Sequence, residues 1–272
     1  MTSSDNRFAA SYAARLPCAH ASGEIVSEDV WRRIAERKAA LDDSRPLAPE
    51  LIARLEAWYE VELTYSSNAI EGNTLTRSET AIVLEKGLTV RGKPLRDHME
   101  ATDHRDALRF VRGLAGRDAA LREIDLRSIH GLVLGKTGGD AAGRYSQQPR
   151  FVAGSRAVFP EPSAVPGLMA DFATRLAASP PSPELALEAH LRLVSIHPFA
   201  DGNGRTARLL MNLLLLRAGY PPLVVPPERR PDYIDAIERA QADGDRIGYD
   251  DLMASLLLDS LDRHLQLLEG RP

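Results

Sequence analysis

The sequence predicts an all-α protein, a bundle of helices interrupted by one short β-hairpin. Three observations carry this. The helix formers Leu, Ala, Arg and Glu are plentiful, while aromatic residues make up only 6% of the chain. Apolar residues recur at steps of three and four over most of the length, the period of an amphipathic helix. Gly, Pro, Ser and Thr fall where such stretches must start or stop.

The elements follow in order. Residues 1–25 lack periodicity and read as a tail. A first helix is expected over 27–39, with Trp31, Ile34 and Ala35 on one face. A proline-bearing connector at 42–49 is the nearest approach to a domain boundary. From Pro49 a long helix runs through Leu51, Leu55, Trp58, Val61 and Tyr65 to about Glu71, where Gly72-Asn73 stops it. Thr76 and Glu79 fit a capping box opening a helix that ends at Lys86-Gly87. Further helices are expected over 96–112 and from an Asp125 cap to Leu134. Residues 136–162 are rich in glycine and proline. Within them Arg150–Ala153, the turn Gly154-Ser155 and Ala157–Phe159 read as a hairpin spanning about 144–160. Helices resume over 163–178 and over 183–197, the second with Ser182 as cap and Pro183 as first residue. The last three begin near Arg205 and cover 231–243 and 249–268.

Composition bounds the function. A chain of 272 residues forms one large or two small domains and buries roughly 70–75% of its unfolded surface. Lys plus Arg is 34 and Asp plus Glu is 38, a net charge of −4, which argues against a nucleic-acid partner. The single cysteine, Cys18, excludes an intrachain disulfide and a cysteine metal cluster. Residues 1–25 hold no apolar signal region, and the apolar run Leu209–Leu216, broken by Asn212, is far short of a membrane span. The expectation is a soluble cytoplasmic protein with no membrane partner.

The chemistry concentrates in His197-Pro198-Phe199-Ala200-Asp201-Gly202-Asn203-Gly204-Arg205-Thr206-Ala207-Arg208. Pro198 ends the preceding helix at His197. Glycines on both sides of Asn203 let the backbone turn tightly at the start of the next helix, so several N–H groups converge where the helix dipole is positive. This is an anion-binding nest. Arg205 and Arg208, near one another on the helix, can both reach a polyphosphate. Asp201 would repel phosphate unless Mg²⁺ lay between them. His197 titrates near neutral pH and can serve as a base. Taken singly, each feature has a plainer meaning: a turn, a helix-end histidine, a solvated arginine pair. An EF-hand calcium loop is excluded because Arg205, Thr206 and Asn212 stand where its fifth, sixth and twelfth residues belong. A Walker loop is excluded because no Gly-Lys-Ser/Thr follows.

The segment resembles the signature of the Fic (Fido) family, His-x-Phe-x-Asp/Glu-Gly-Asn-Gly-Arg-x-x-Arg, with every fixed position matched. The resemblance implies a Fic-fold helical core over 95–225 with a hairpin flap. It further implies an N-terminal helical region, 1–94, and C-terminal helices, 226–272, packed on the core. The implied activity is transfer of AMP from ATP to a Ser, Thr or Tyr hydroxyl of a protein target, with pyrophosphate leaving. Self-modification is one outcome of such an activity, and homodimerisation is common in the family. By the resemblance His197 is the base and Asp201 holds Mg²⁺. Gly202, Asn203 and Gly204 form the nest, and Asn203 also contacts phosphate. Arg205 binds phosphates, Arg208 grips the γ-phosphate, and Phe199 anchors the loop.

Ser67-Asn68-Ala69-Ile70-Glu71-Gly72-Asn73 resembles the family's inhibitory motif, Ser/Thr-x-x-x-Glu-Gly/Asn, placed on a helix at about 50–71. Ser67 and Glu71 share one helix face. A glutamate at a helix C-terminus opposes the dipole and makes sense if a cation faces it; the family's partner is Arg208. With Arg208 so engaged, ATP would bind with its α-phosphate misaligned, and an error of about 1 Å can cost on the order of a hundredfold in rate. The expectation is an autoinhibited enzyme. Arg150, Phe151 and Val152 resemble the target-docking flap, although Ser146 follows Tyr145 where a basic residue is common. His98, His104 and His190 read as structural. Two alternatives use the same residues: removal of AMP by a water that Glu71 orients, and a nucleotide-sensing regulator without catalysis. Transfer of UMP, phosphate or phosphocholine occurs in relatives, more often in those with altered signatures.

Overall fold

Helix caps set the frame. Thr76 Oγ1 accepts the backbone N–H of Glu79 at 3.2 Å, and Glu79 Oε2 accepts that of Thr76 at 2.7 Å. Ser182 Oγ accepts from the Leu185 N–H at 3.1 Å. Each satisfies donors that a helix start leaves over. Gly87 takes the left-handed conformation, φ 64°, and closes its helix as expected.

The computed structural model describes residues 28–270. The tail expected over 1–25, with Cys18, lies outside them. Among the described residues are ten α-helices and no strand: α1 (Glu28–Asp43), α2 (Pro49–Ile70), α3 (Arg77–Lys86), α4 (Leu95–Ala115), α5 (Glu123–Val133), α6 (Val165–Ala178), α7 (Pro183–Ile196), α8 (Asn203–Arg217), α9 (Arg230–Ala242) and α10 (Ile247–Leu268). The all-α expectation stands. No helix among the described residues is long and apolar enough to cross a membrane.

Several boundaries differ from expectation for local reasons. Helix α1 runs on to Asp43 because Leu41 is buried in the core. Helix α5 starts at Glu123, so Asp125 is not its cap; it sits in the first turn and accepts the Arg122 N–H at 2.9 Å. The hairpin is absent. The chain does turn, with Ser155 N–H on Val152 O at 3.0 Å, but side chains take the bonds a ladder would need. Arg156 N–H goes to Glu238 Oε1 at 2.5 Å, and Ala157 N–H goes to Ser155 Oγ at 3.0 Å.

One hydrophobic cluster joins nine helices, through Ile34, Leu63, Val111, Ile129, Met169, Leu193, Leu209, Tyr233 and Leu257. A smaller cluster of Val61, Leu75, Val83, Leu84 and Ala101 seats α3 between α2 and α4. Helices α7 and α8 are buried almost all round, with polar side chains such as His190, Arg205, Arg208 and Asn212 among the buried ones. Leu193, Leu210 and Leu213 are fully buried there. Each such side chain contributes about 1.5–3 kcal/mol of transfer free energy. The α7–α8 loop is therefore held at both ends by the best-packed part of the molecule.

Candidate active site

His197 caps α7 in the left-handed region, φ 50° and ψ 52°, with its N–H on Leu193 O at 3.0 Å. It is the one non-glycine residue with positive φ among the described residues. That conformation is costly for a side-chain-bearing residue, and Pro198 bars the helical alternative. His197 Nδ1 lies 3.3 Å from Val194 O. A carbonyl only accepts, so Nδ1 carries the proton and Nε2 keeps a lone pair. The Phe159 ring packs at 4.5 Å between centroids. Burial pushes the imidazole below the usual histidine range, against the opposing pull of Glu71 and Asp201. The ring is thus neutral, in its basic form, near pH 7.

The following loop is clasped from inside. Asn203 Oδ1 accepts the Phe199 N–H at 3.0 Å and Asn203 Nδ2 donates to Phe199 O at 2.9 Å. The Asn203 amide is therefore spent on loop geometry. Phe199, wholly buried, stacks on His130 with centroids 3.6 Å apart and planes 4° from parallel. Gly143 N–H donates to His130 Nδ1 at 2.9 Å, so Nε2 carries the proton and donates to Asp201 O at 3.0 Å. Burial pushes His130 down to about 4, which keeps this tautomer neutral.

Gly202, at φ 75°, swings the chain into α8, whose first backbone bond is Thr206 N–H to Gly202 O at 3.0 Å. The earlier N–H groups of that turn lie outside the helix ladder, and that of Gly202 donates to Asp201 Oδ1 at 2.6 Å. Arg205 Nη2 lies 3.5 Å from Asp201 Oδ1 and Nη1 lies 3.6 Å from Glu100 Oε1. Its Nε is buried without a hydrogen-bond partner among the described residues. Arg96 ties the same acids together, with Nε on Glu100 Oε1 at 2.9 Å and Nη2 on Asp201 Oδ2 at 3.4 Å.

Arg208 is held from α2. Its Nη2 donates to Glu71 Oε1 at 2.6 Å and to Ser67 O at 2.9 Å, and its Nε donates to Ser67 Oγ at 3.0 Å. The Arg208 side chain is 6% exposed and that of Glu71 is 40% exposed. Gly204 makes the approach feasible, since a Cβ there would collide with the Glu71 carboxylate. Ser67, Glu71 and Arg208, 141 residues apart at the extremes, thus meet at the nest.

The described residues contain no cluster of three or more His, Cys, Asp or Glu able to hold a metal by themselves. Asp201 presents its carboxylate, 54% exposed, to a cavity of about 710 Å³ that Glu71, Asp235 and Glu238 also line. One carboxylate fits Mg²⁺ that takes its other ligands from phosphates and water.

A family model described as the Fic/DOC family matches residues 120–215. A protein named protein adenylyltransferase Fic, from Nematostella vectensis, is 40% identical over 181 residues, covering 65% of this chain and 42% of its own length. The chain spans about half the length of the curated relatives it matches. A Fic-domain-containing signaling protein from Bacteroides thetaiotaomicron is similar in structure, with TM-score 0.79 at 28% identity over 88% of this chain and 99% of that one. A structure of Fic-1 from C. elegans gives TM-score 0.77 at 30% identity, over 89% of this chain and 72% of that one. The chain belongs to the Fic family.

The Fic signature and the Ser67–Glu71 motif come together as expected, but the expected flap is a loop. Arg150 Nη2 ties it to the signature through Ala200 O at 2.6 Å, while Phe151 is 86% exposed and Val152 projects beside it. Residues that sequence reasoning passed over support these groups. Glu100 and Arg96 bracket Arg205, and His130 supports Phe199 and Asp201. Their only signal was a polar residue on an otherwise buried helix face. His98 and His104 are buried and hydrogen-bonded within the fold: His98 Nε2 accepts the Val90 N–H at 2.8 Å, and His104 Nδ1 meets Thr64 Oγ1 at 3.1 Å.

Proposed function

We propose that this chain transfers AMP from ATP to a hydroxyl of a protein side chain, and that Glu71 holds it inactive by occupying Arg208. The observation that carries the reading is the Arg208–Glu71 pair, set at the mouth of an anion nest beside a neutral histidine. The relatives' shared name, protein adenylyltransferase, supports the reaction class.

The nest of Gly202, Asn203 and Gly204 receives the phosphates, with the Gly202 N–H held by Asp201 in the resting state, Arg205 binds them, and Arg208 takes the γ-phosphate once Glu71 withdraws. Asp201 would hold Mg²⁺, which when bound would neutralise charge on the phosphate oxygens. His197 Nε2 takes the proton of the target hydroxyl. The hydroxyl oxygen bonds to the α-phosphorus, the bond to the β-phosphate bridging oxygen breaks, and pyrophosphate leaves. Positioning and charge neutralisation supply most of the acceleration in such transfers. Exposed Phe151 and Val152, with Arg150 anchoring their loop, offer an extended segment on which a target can pair its own backbone. On this reading α2 regulates, α4 to α8 carry the chemistry, and α9 walls the nucleotide cleft.

Glu71 also favours a second reading. Only its Oε1 is engaged, and Oε2, without a partner among the described residues, can orient a water for removal of AMP from a modified target.

The test is labelling of a cell lysate, and of the protein itself, with ATP radiolabelled at the α-phosphate. Glu71→Gly should label far more strongly than wild type, and adding His197→Ala should abolish the signal. Equal labelling by wild type and Glu71→Gly would sink the inhibitory role, and labelling that survives His197→Ala would remove the base. ATP binding without any labelled product would point to a nucleotide sensor.

A further inference from the structure

Arg208 has a second hold, on the side away from α2. Its Nη1 donates to the Tyr233 hydroxyl at 3.4 Å, and its guanidinium carbon lies 6.0 Å from the centre of the Tyr233 ring. Tyr233, on α9, is 1% exposed. Its hydroxyl continues into the core: Tyr233 OH lies 2.7 Å from His190 Nε2, His190 Nδ1 lies 2.8 Å from Tyr249 OH, and Tyr249 OH donates to Leu187 O at 2.9 Å.

The far end sets the direction of each proton. Leu187 O only accepts, so Tyr249 donates to it and accepts from His190 Nδ1–H. His190 Nε2 is then bare and accepts the Tyr233 O–H. The Tyr233 oxygen is left with a lone pair for Arg208. Burial, with Arg208 nearby, pushes His190 down to about 3, so the imidazole stays neutral as this order requires.

Burying two hydroxyls and an imidazole is costly unless every bond is made, and apolar side chains of like shape would serve packing as well. This row of groups ends on Arg208, a side chain whose aim matters. We infer that Tyr233, oriented by His190 and Tyr249, is a positioning residue that holds Arg208 in place for the terminal phosphate of ATP when Glu71 has left. The inference rests on the proposed role of Arg208. With Glu71 gone, Ser67 and Tyr233 bracket the guanidinium, Nη2 loses its carboxylate partner, and Nη1 lies beside Gly204 of the nest.

The experiment compares ATP with AMP, which lacks the terminal phosphate. In the Glu71→Gly background, isothermal titration measures both affinities with and without Tyr233→Phe, which removes the hydroxyl and keeps the ring. ATP binding should weaken by roughly tenfold, the low end for loss of one hydrogen bond to a charged group, with AMP binding unchanged. The KM for ATP in self-labelling should rise by the same factor. Tyr249→Phe, two bonds away, should give a smaller loss in the same direction and serves if Tyr233→Phe fails to fold. An equal loss for ATP and AMP, or no loss, would overturn the inference. Should Glu71→Gly itself bind ATP no better than AMP, the role given to Arg208 falls, and this inference with it.

Discussion

If Glu71 silences the enzyme by pairing with Arg208, it should also stabilise the fold, and its removal should trade stability for nucleotide affinity. The Nη2–Oε1 distance is 2.6 Å and the arginine is almost wholly buried. Two unit charges about 4 Å apart interact by about 4 kcal/mol at an effective dielectric constant near 20. Glu71 is 40% exposed, so water screens much of that. A hydrogen bond to a charged group, roughly 1.5–3 kcal/mol, is the better measure. Arg208 keeps its bonds to Ser67 and Tyr233, and water can reach the vacated place. Glycine at position 71 adds about 0.5–1 kcal/mol of chain entropy. Glu71→Gly should therefore cost roughly 2–3 kcal/mol, a fall in Tm of about 4–6 °C for a chain of this size. ATP at a hundred times its Kd would return about 2.7 kcal/mol. Differential scanning fluorimetry, with and without ATP and Mg²⁺, reads both effects. Wild type should have the higher Tm without nucleotide and the smaller rise with it. Equal Tm values and equal ATP shifts would refute competition between Glu71 and the γ-phosphate.

Three further outcomes are expected. The labelling rate of Glu71→Gly should be flat near pH 7 and fall only as pH drops through the lowered value of His197, because the base works in its neutral form; a pH-rate profile that falls above the ordinary histidine value of 6.5 would contradict this. Stability should decline on acidification from about pH 6.5, the unfolded histidine value. Burial puts His104 and His190 at about 3 and His130 and His264 at about 4, so the unfolded chain binds protons that the fold refuses. Stability from these groups is complete above pH 6.5 and is lost progressively toward pH 3–4, at about 1.4 kcal/mol per pH unit for each histidine; urea midpoints unchanged between pH 6.5 and 4.5 would rule it out. Gly204→Ala places a Cβ where the Glu71 carboxylate lies, at the phosphate nest. Labelling should vanish with or without Glu71 while the circular dichroism stays native, and activation would show that the Cβ displaces only Glu71.

What the sequence made legible was what neighbouring residues decide. The Thr76–Glu79 box, the Ser182 cap and the Gly87 stop are settled within a few positions, and each stands in the structure. The signature was legible because its groups share one loop and one helix start. Ser67 and Glu71 were legible by their spacing. The hairpin failed because Glu238, 82 residues on from Arg156, captures a backbone N–H that the ladder needed. Arg96 and His130 were invisible as parts of the site, since their bonds to Asp201 cross 105 and 71 residues of sequence.

The two signature arginines are countered differently, and the difference bears on control. Arg205 faces Glu100 on α4 and Asp201 beside it, both at about 3.5 Å, and Glu100 is itself pinned by Arg96 and by Asn73 Nδ2 at 3.0 Å. That countercharge is built in. Arg208 has one carboxylate partner, at the very end of α2, tightly held through a single oxygen and half open to the cleft. A buried guanidinium left without a countercharge is expensive. Exchange of Glu71 for a phosphate oxygen would leave it compensated before and after, so the cost of release falls on moving the last turn of α2 and not on stranding a charge. The net charge of −4 conceals this local balance, in which one arginine has a fixed anion and the other an exchangeable one. On the proposed reading, whatever draws Glu71 aside need supply only the roughly 2 kcal/mol of one charged hydrogen bond. That is within reach of a modest contact between α2 and a target or a second chain.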